Sequence, residues 1–451
     1  MLLRDIKFNL NAFLIGVTIF SFLGACTQND NYKQLLTVNY YLVEANEKLT
    51  ETMVHDIFSP PVASRIYAYP SIAAYEVAVL AAPDEFHSLM GQLNESSALS
   101  VNSSDYDKAN YQLASLAAYY KVAIHLIFTE QFLIDHREGL FEEIKNAGMP
   151  EEEFQASLDL GEAVADEILA YASEDNYHQS RSFGKYTVKN DLGAWKPTPP
   201  AYIEGIEPHW NKIRPFFLDS ANQFAPVAPP LFDTIPESTF YQDAKAVMDA
   251  GINIQGDQEE IAFFWDCNPY KMNVKGHVMF AEKKITPGGH WMGIASIAVK
   301  NKGQEWKATA ETLATTSIYL FDGFISCWDE KYRSALIRPE TYINIYMDQN
   351  WLPLLQTPPF PEYTSGHSVV STAAAIALTR LYGEPFHFVD STEVTYGLGV
   401  REFESFRIAS EEAAISRFYG GIHYLPAIKN GVEQGKEIAQ LINQKINTRK
   451  E

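Results

Sequence analysis

The sequence predicts an all-α protein made of two helical bundles, and three observations predict it. From Tyr106 to Phe128, and again from Glu151 to Ala172, apolar residues recur at intervals of three and four, which places them on one face of a helix. No run alternates apolar and polar residues as a half-buried strand requires. Between Lys196 and Pro230, Pro197, Pro199, Pro200, Pro208, Pro215, Pro226, Pro229 and Pro230 exclude a helix interior. Residues 196–230 are therefore an ordered connector or a wrapped arm. They separate an N-terminal helical region, 26–195, from a C-terminal helical bundle, 231–451. No internal repeat or low-complexity tract is visible.

The first segment carries its own signal. Arg4 and Lys7 precede an apolar stretch from Phe13 to Phe22, and Leu23-Gly24-Ala25-Cys26 follows. A short basic start, an apolar core and small residues describe a signal peptide over 1–25. Leu-Gly-Ala-Cys is similar to the lipobox of bacterial lipoproteins, in which the Cys becomes the lipidated first residue. The expectation is an exported lipoprotein, periplasmic or at the outer membrane or cell surface, that touches membrane only through Cys26. The apolar run is short for a spanning helix, and the polar residues from Thr27 to Tyr32 follow at once.

Composition narrows the function. The 451 residues include 57 acidic and 35 basic side chains, for a formal charge of -22, and 46% are hydrophobic. That apolar fraction excludes disorder over the whole length. The acid excess argues against a nucleic-acid partner, which needs a cationic surface to displace counterions. Beyond Cys26, only Cys267 and Cys327 remain. They cannot form a disulfide framework, their spacing matches no zinc pattern, and their aromatic neighbours read as buried packing.

In the N-terminal region His55, His87, His125, His136 and His178 are scattered without ligand-like partners, and Tyr67, Tyr69, Tyr75, Tyr119 and Tyr120 read as core. The chemistry lies in the second half, in three segments. The first is Lys331-Tyr-Arg-Ser-Ala-Leu-Ile-Arg338-Pro339, whose two cations, seven apart, would share one face of a helix. The second is Pro361-Glu362-Tyr363-Thr364-Ser365-Gly366-His367, followed by a helix from Ser368 to Leu381 that ends at Gly383. Gly366 allows close backbone approach, and the helix start offers unpaired N–H groups and a positive dipole end, which together make an anion seat. The third is Ser416-Arg417-Phe418-Tyr419-Gly420-Gly421-Ile422-His423, where the two glycines break a helix begun near Ser410. Three cations, a hydroxyl, helix N–H donors and two imidazoles are the parts that hold a tetrahedral oxyanion such as phosphate or vanadate.

In this order the segments resemble the three-part signature of the vanadium-dependent haloperoxidases, shared with acid phosphatases of the type-2 phosphatidic acid phosphatase superfamily. Thr364 departs from it, standing where the usual motif has Pro, which should alter the turn slightly. The resemblance implies an all-α fold of two bundles with a vanadate site in the C-terminal one. It implies that His423 is the direct ligand to vanadium. Lys331, Arg338, Ser365, Gly366, His367 and Arg417 would bind the cofactor, with His367 as acid/base and Lys331 polarising peroxide. In a soluble exported acid phosphatase, the alternative, His423 would attack phosphorus and His367 would protonate the leaving group.

The flanks favour the peroxidase. Trp328, three before the Lys, and Phe360, seven before the second-segment His, look like the halide-pocket walls of that family. The chain looks closest to the bacterial vanadium-dependent iodoperoxidases, and the similarity extends to Tyr270 and Asp329. A carboxylate at Asp329 could also fix the orientation of Arg417 or of a motif His. The implied partners are hydrogen peroxide, a halide, iodide foremost with bromide second, and an organic halogen acceptor. No haem is implied. His290, in Pro287-Gly288-Gly289-His290-Trp291, reads as loop that could line an entrance, and His209, His277 and His387 as structural.

Overall fold

The computed structural model describes residues 31–38, 40–275 and 278–450. The signal segment, Cys26 and His277 lie outside the described residues. The N-terminal region folds as α1 (Asn31–Val38), α2 (Tyr41–Asp56), α3 (Pro60–Ala81), α4 (Tyr111–Leu126), α5 (Glu130–Asn146), α6 (Glu151–Ser173) and the single turn α7 (Tyr177–Ser180). The C-terminal region supplies α8 (Thr239–Ile252), α9 (Gln258–Phe264), α10 (Pro287–Lys302), α11 (Trp306–Ser334), α12 (Pro339–Tyr346), α13 (Gly366–Tyr382), α14 (Phe406–Tyr419) and α15 (Leu425–Lys445). The all-α expectation holds. Two antiparallel hairpins escape it: β1 (Met272–Lys275) with β2 (Val278–Ala281), and β3 (Phe388–Asp390) with β4 (Arg401–Phe403). Strands of three or four residues are too short to show an alternating period.

Local chemistry explains the helix ends that matter. Ser59 caps α3 by accepting from Val62 N, and Pro60 and Pro61 occupy the first turn, where a missing N–H costs nothing. α3 is buried on nearly all sides, with 19 of its 22 residues buried. One side packs on α4 and α6 and another on α11, so the hydrophobic core runs without a break from Tyr32 to Ile446. The two regions share one core. At the base of α3, buried Arg65 donates Nε to Asp175 (2.6 Å) and Nη2 to Ala172 O (2.9 Å).

The Pro-rich segment is an arm laid on this core. Trp195, Trp210, Phe216, Phe217 and Leu218 are buried. Asp322, in the middle of α11, accepts from the backbone N–H groups of Phe216 (2.7 Å), Phe217 (2.8 Å) and Leu218 (3.2 Å). A buried carboxylate is tolerated there because three amides meet it.

α11 and α13 lie side by side, with α15 across both. Close helix approach needs small residues. A Cβ on Gly435 would come within 2.4 Å of Val369 O, and one on Gly431 within 2.9 Å of Ser368 Cβ. These crossings set the start of α13 against the end of α11. Among the described residues no helix is long and apolar enough to cross a membrane.

Candidate active site

α11 stops at Ser334, where Ala335 takes a left-handed conformation (φ 48°), and Arg338 caps the start of α12. Lys331 and Arg338 therefore do not share a helix face, as their spacing suggested. They converge because the chain reverses between them. Both are fully buried.

Lys331 Nζ donates to three backbone carbonyls, Pro361 O (3.1 Å), Glu362 O (3.1 Å) and Thr364 O (2.5 Å). It thus holds the second segment in place, including the Tyr363–Thr364 peptide bond, which is cis. Burial, reinforced by the nearby Arg338 charge, pulls the ammonium down to about 8. Arg338 donates Nε to Phe360 O (2.9 Å) and Nη1 to Ile422 O (2.9 Å), with Nη1 3.1 Å from His423 Nε2. Arg417, near the end of α14, donates Nη1 to Trp265 O (2.8 Å), and its Nη2 lies 4.0 Å from Asp266 Oδ1. Arg338 Nη2 and Arg417 Nε are buried and find no hydrogen-bond partner among the described residues.

Gly420 and Gly421 end α14, and Gly421 takes φ +77°, which a side chain would strain. The turn carries the chain from Arg417 to His423. His423 Nδ1 donates to Glu362 Oε1 (2.8 Å), which also accepts from Tyr424 N (3.0 Å). That bond fixes the tautomer with the lone pair on Nε2, where it accepts from Arg338 Nη1. Burial, then Arg338, Lys331 and Arg417, hold His423 well below its ordinary value, so it is a neutral imidazole. Burial pushes Glu362 up to about 7, against the pull of Arg338 and Lys331.

Ser365 is the N-cap of α13: its hydroxyl accepts from Ser368 N (3.4 Å), and its own N–H donates to Ala427 O (3.1 Å). A Cβ on Gly366 would meet Trp328 at 3.8 Å and Lys331 Cε at 4.0 Å, so it would occupy pocket space without a clash. His367, one residue on, is hydrogen-bonded by the Trp265 backbone, while its Nε2 is buried and unpartnered among the described residues. Burial and Arg417 hold it well below the ordinary value, hence neutral.

Gly366, His367, Arg417 and His423 line a small pocket of about 30 Å³ with Trp328, Phe360 and Tyr270 in its wall. Trp328 and Phe360 rings lie 5.0 Å apart, and Lys331 Nζ sits 5.0 Å from the Phe360 ring centre. Trp328 reaches the pocket because a residue three before Lys331 shares its helix face. Asp329 does not: two residues apart on a helix point away from each other. Its carboxylate instead accepts from Asn211 Nδ2 (2.9 Å) and Arg333 Nε (3.1 Å), and it orients neither Arg417 nor a motif histidine. His290 is also placed differently from expectation, fully buried inside α10 and off any entrance.

Sequence reasoning missed three contributors. Glu362 supports His423, Trp265 O anchors both Arg417 and His367, and Pro60 brings the N-terminal region into the pocket wall. The signal for Glu362 was available: a neutral histidine ligand needs a partner for its other nitrogen, and an acid stands three residues before Ser365.

The arrangement is fitted to an oxyanion. Three buried cations, Lys331, Arg338 and Arg417, are gathered here, and the guanidiniums keep donors that no acid takes up, which suits an anion. Arg338 Nη2 and Arg417 Nε supply free donors, His423 Nε2 a lone pair, and the start of α13 a positive dipole end. Vanadate fits this donor set.

Comparison with known proteins gives three results. Residues 346–450 match the family model described as the VCPO second helical-bundle domain. The fold superposes on the crystal structure of the first bacterial vanadium-dependent iodoperoxidase with a TM-score of 0.87 and 47% identity, covering 92% of this chain and 98% of that one. The holo and apo forms of a bacterial vanadium-dependent chloroperoxidase, both 15% identical, superpose with TM-scores of 0.68 and 0.63 over 91% and 86% of this chain and 98% and 94% of theirs. At that identity they show a common fold. Among curated proteins nothing matches.

Proposed function

The chain belongs to the vanadium-dependent haloperoxidase family, and from that premise we propose that it oxidises iodide with hydrogen peroxide to hypoiodous acid, which halogenates an organic acceptor. The observation that carries this reading is the pair of unpartnered buried donors, Arg338 Nη2 and Arg417 Nε, on the two guanidiniums whose charges act on His423. Bound vanadate would supply a Lewis acid that makes hydrogen peroxide electrophilic toward halide.

The protein's own part follows from its geometry. Glu362 keeps the His423 Nδ1 proton in place, so Nε2 stays a donor of electrons. Arg338 and Arg417 would hold the oxyanion and neutralise its charge. Lys331 fixes the 361–364 turn and adds positive charge next to the aromatic wall. His367 Nε2, neutral and unpartnered, can take a proton from incoming peroxide and return it to the departing oxygen. Trp328, Phe360 and Tyr270 give the centre an aromatic wall. Iodide suits this pocket: a large, polarisable and easily oxidised halide loses little when it trades water for aromatic faces beside an ammonium. Bromide is the second candidate.

The test is to purify the protein, add vanadate, and assay iodide oxidation by peroxide beside hydrolysis of a phosphate ester. The expected result is vanadate-dependent triiodide that His423→Ala abolishes. Strong hydrolysis without vanadate, and no triiodide with it, would replace this reading with the phosphatase one.

For residues 1–25 and Cys26 the reading is export and lipid anchoring, supported by Arg4, Lys7 and Leu23-Gly24-Ala25-Cys26. Cys26→Ser should move the protein out of the membrane fraction. Retention there would overturn the anchor.

A further inference from the structure

We propose that Cys267, His290 and Glu393 form a binding site for one zinc-class divalent cation behind the oxyanion pocket, with Cys267 also in the pocket wall.

Three ligand-type atoms converge in the core between α10, the loop after α9 and the turn after β3. Cys267 Sγ lies 3.5 Å from His290 Nδ1 and 3.8 Å from Glu393 Oε1, and His290 Nδ1 lies 3.2 Å from Glu393 Oε1. Tetrahedral zinc with ordinary Zn–S, Zn–N and Zn–O bonds has ligand-to-ligand edges of about 3.3–3.6 Å. The triangle here matches those edges to a few tenths of an ångström. The donor set is equally specific. A thiolate, an imidazole and one carboxylate select a borderline-soft ion such as zinc over calcium or magnesium, which take oxygen shells.

A second observation supports a ligand. His290 Nε2 donates to Asp390 Oδ2 at 2.8 Å, which orients the ring so that Nδ1 faces Cys267 and Glu393. Asp390 Oδ1 in turn accepts from Thr392 N (3.0 Å) and Thr392 Oγ1 (2.7 Å). This carboxylate–histidine relay is what outer partners of metal-bound histidines provide. The imidazole is further held by stacking on Trp265, with ring centres 4.4 Å apart. Cys267 and Glu393 are 2% and 4% exposed, and His290 and Asp390 are fully buried. Two buried carboxylates and a thiol around one imidazole leave negative charge without a full counterion; a divalent cation supplies it. Binding sends the Cys267 thiol proton, and any proton on His290 Nδ1, to solvent, and nothing is oxidised or reduced.

The spacing explains why the sequence did not announce this. Cys267 and His290 are 23 apart and Cys267 and Glu393 are 126 apart, so the site exists only after folding. Its position gives it work to do. The segment that carries Cys267 also carries Trp265 O, which receives Arg417, and Tyr270 in the pocket wall. A cation here would pin that segment to α10 and to the β3 turn, and so steady Arg417.

The full chain, stripped with a chelator and kept free of vanadate, is titrated with cobalt(II) and, separately, with zinc. The expected result is one bound cation per chain and a thiolate-to-cobalt charge-transfer band. Cys267→Ser should lose the band, and Asp390→Asn should bind about 10- to 100-fold more weakly. Glu393→Gln covers the case in which the serine variant fails to fold, with thermal melting as the control. Absence of the band in folded wild type, or equal zinc retention by wild type and a folded ligand variant, overturns the proposal and leaves His290 as an imidazolium held between Asp390 and Glu393. Peroxidase activity is not the readout, so the outcome is independent of the proposed function.

Discussion

Replacing Glu362 with glutamine should weaken vanadate binding about 10- to 100-fold while leaving the fold intact, a loss of about 1.4–2.7 kcal/mol. Oε1 of Glu362 accepts two hydrogen bonds, from His423 Nδ1 and Tyr424 N. A glutamine oxygen can keep both. What disappears is one negative charge next to the histidine, and with it the basicity that charge lends to Nε2. Glu362→Ala removes the acceptor as well. It leaves a ring N–H and an amide N–H unpaired in the interior, which costs about 1–3 kcal/mol more. Affinity should therefore fall in the order wild type, glutamine, alanine. The pH dependence gives an internal control. Glu362 is pushed up to about 7, so in the vanadate-free protein its carboxyl is charged above that value and neutral below it. A neutral Glu362 carries the same charge as glutamine. The gap between wild type and Glu362→Gln should be full above about pH 7 and close as the pH falls about one to two units below it. Vanadate is titrated into chelator-treated protein on both sides of that pH, and affinity is read from the restored iodide oxidation and from the rise in melting temperature. Equal affinities on the alkaline side, or a gap that widens in acid, would refute the role given to Glu362.

Two other substitutions test the scaffold. Glu76, fully buried in α3, accepts from Leu89 N (2.7 Å), Met90 N (3.2 Å) and Ser88 Oγ (2.7 Å), and burial raises it from 4.5 to about 7. A carboxyl raised in the folded state costs nothing below the unfolded value, and its penalty grows from about pH 4.5 to 7 and then stays at about 3 kcal/mol. Glu76→Gln should thus raise the melting temperature at mildly alkaline pH and leave it unchanged in acid; the same shift at both would show the charge is not the cause. Gly431→Ala puts a methyl 2.9 Å from Ser368 Cβ and 3.0 Å from Ser365 O. It should cost about 1–3 kcal/mol and loosen vanadate together with the fold, and an unchanged melt would mean that α13 and α15 do not meet as described.

Much of this was legible in one dimension, for physical reasons. α6 begins at Glu151 as its periodicity indicated, because a two-layer helical core imposes a 3.6-residue rhythm that survives in sequence. Ser365, Gly366 and His367 were legible because an N-cap, a small residue and a helix start are consecutive. Lys331 and Arg338 were found by a spacing whose explanation was wrong, since the left-handed turn at Ala335 carries no glycine to betray it. Asp329 was misplaced although helix geometry could have corrected it: its partner four residues on is Arg333, and they pair. Contacts between distant segments left no trace in spacing. Pro60 in the pocket wall, Trp265 behind Arg417, and the Cys267–His290–Glu393 triangle all depend on which helices lie together.

The burial of α3 on nearly every side bears on how the chain comes to be. α11, which covers one of its faces, starts at Trp306, about 225 residues after α3 ends at Ala81. At synthesis rates of about 5–20 residues per second, α3 exists for some 10–45 s before its covering helix has been made. Throughout that interval a largely apolar helix with Arg65 and Glu76 inside it has no finished core to enter. The N-terminal region cannot complete its fold ahead of the rest, and the nascent chain must either hold α3 under a temporary cover or delay collapse until α11 arrives. A protein whose catalytic groups all lie in its last third thus depends, for reaching them, on how well its first third waits.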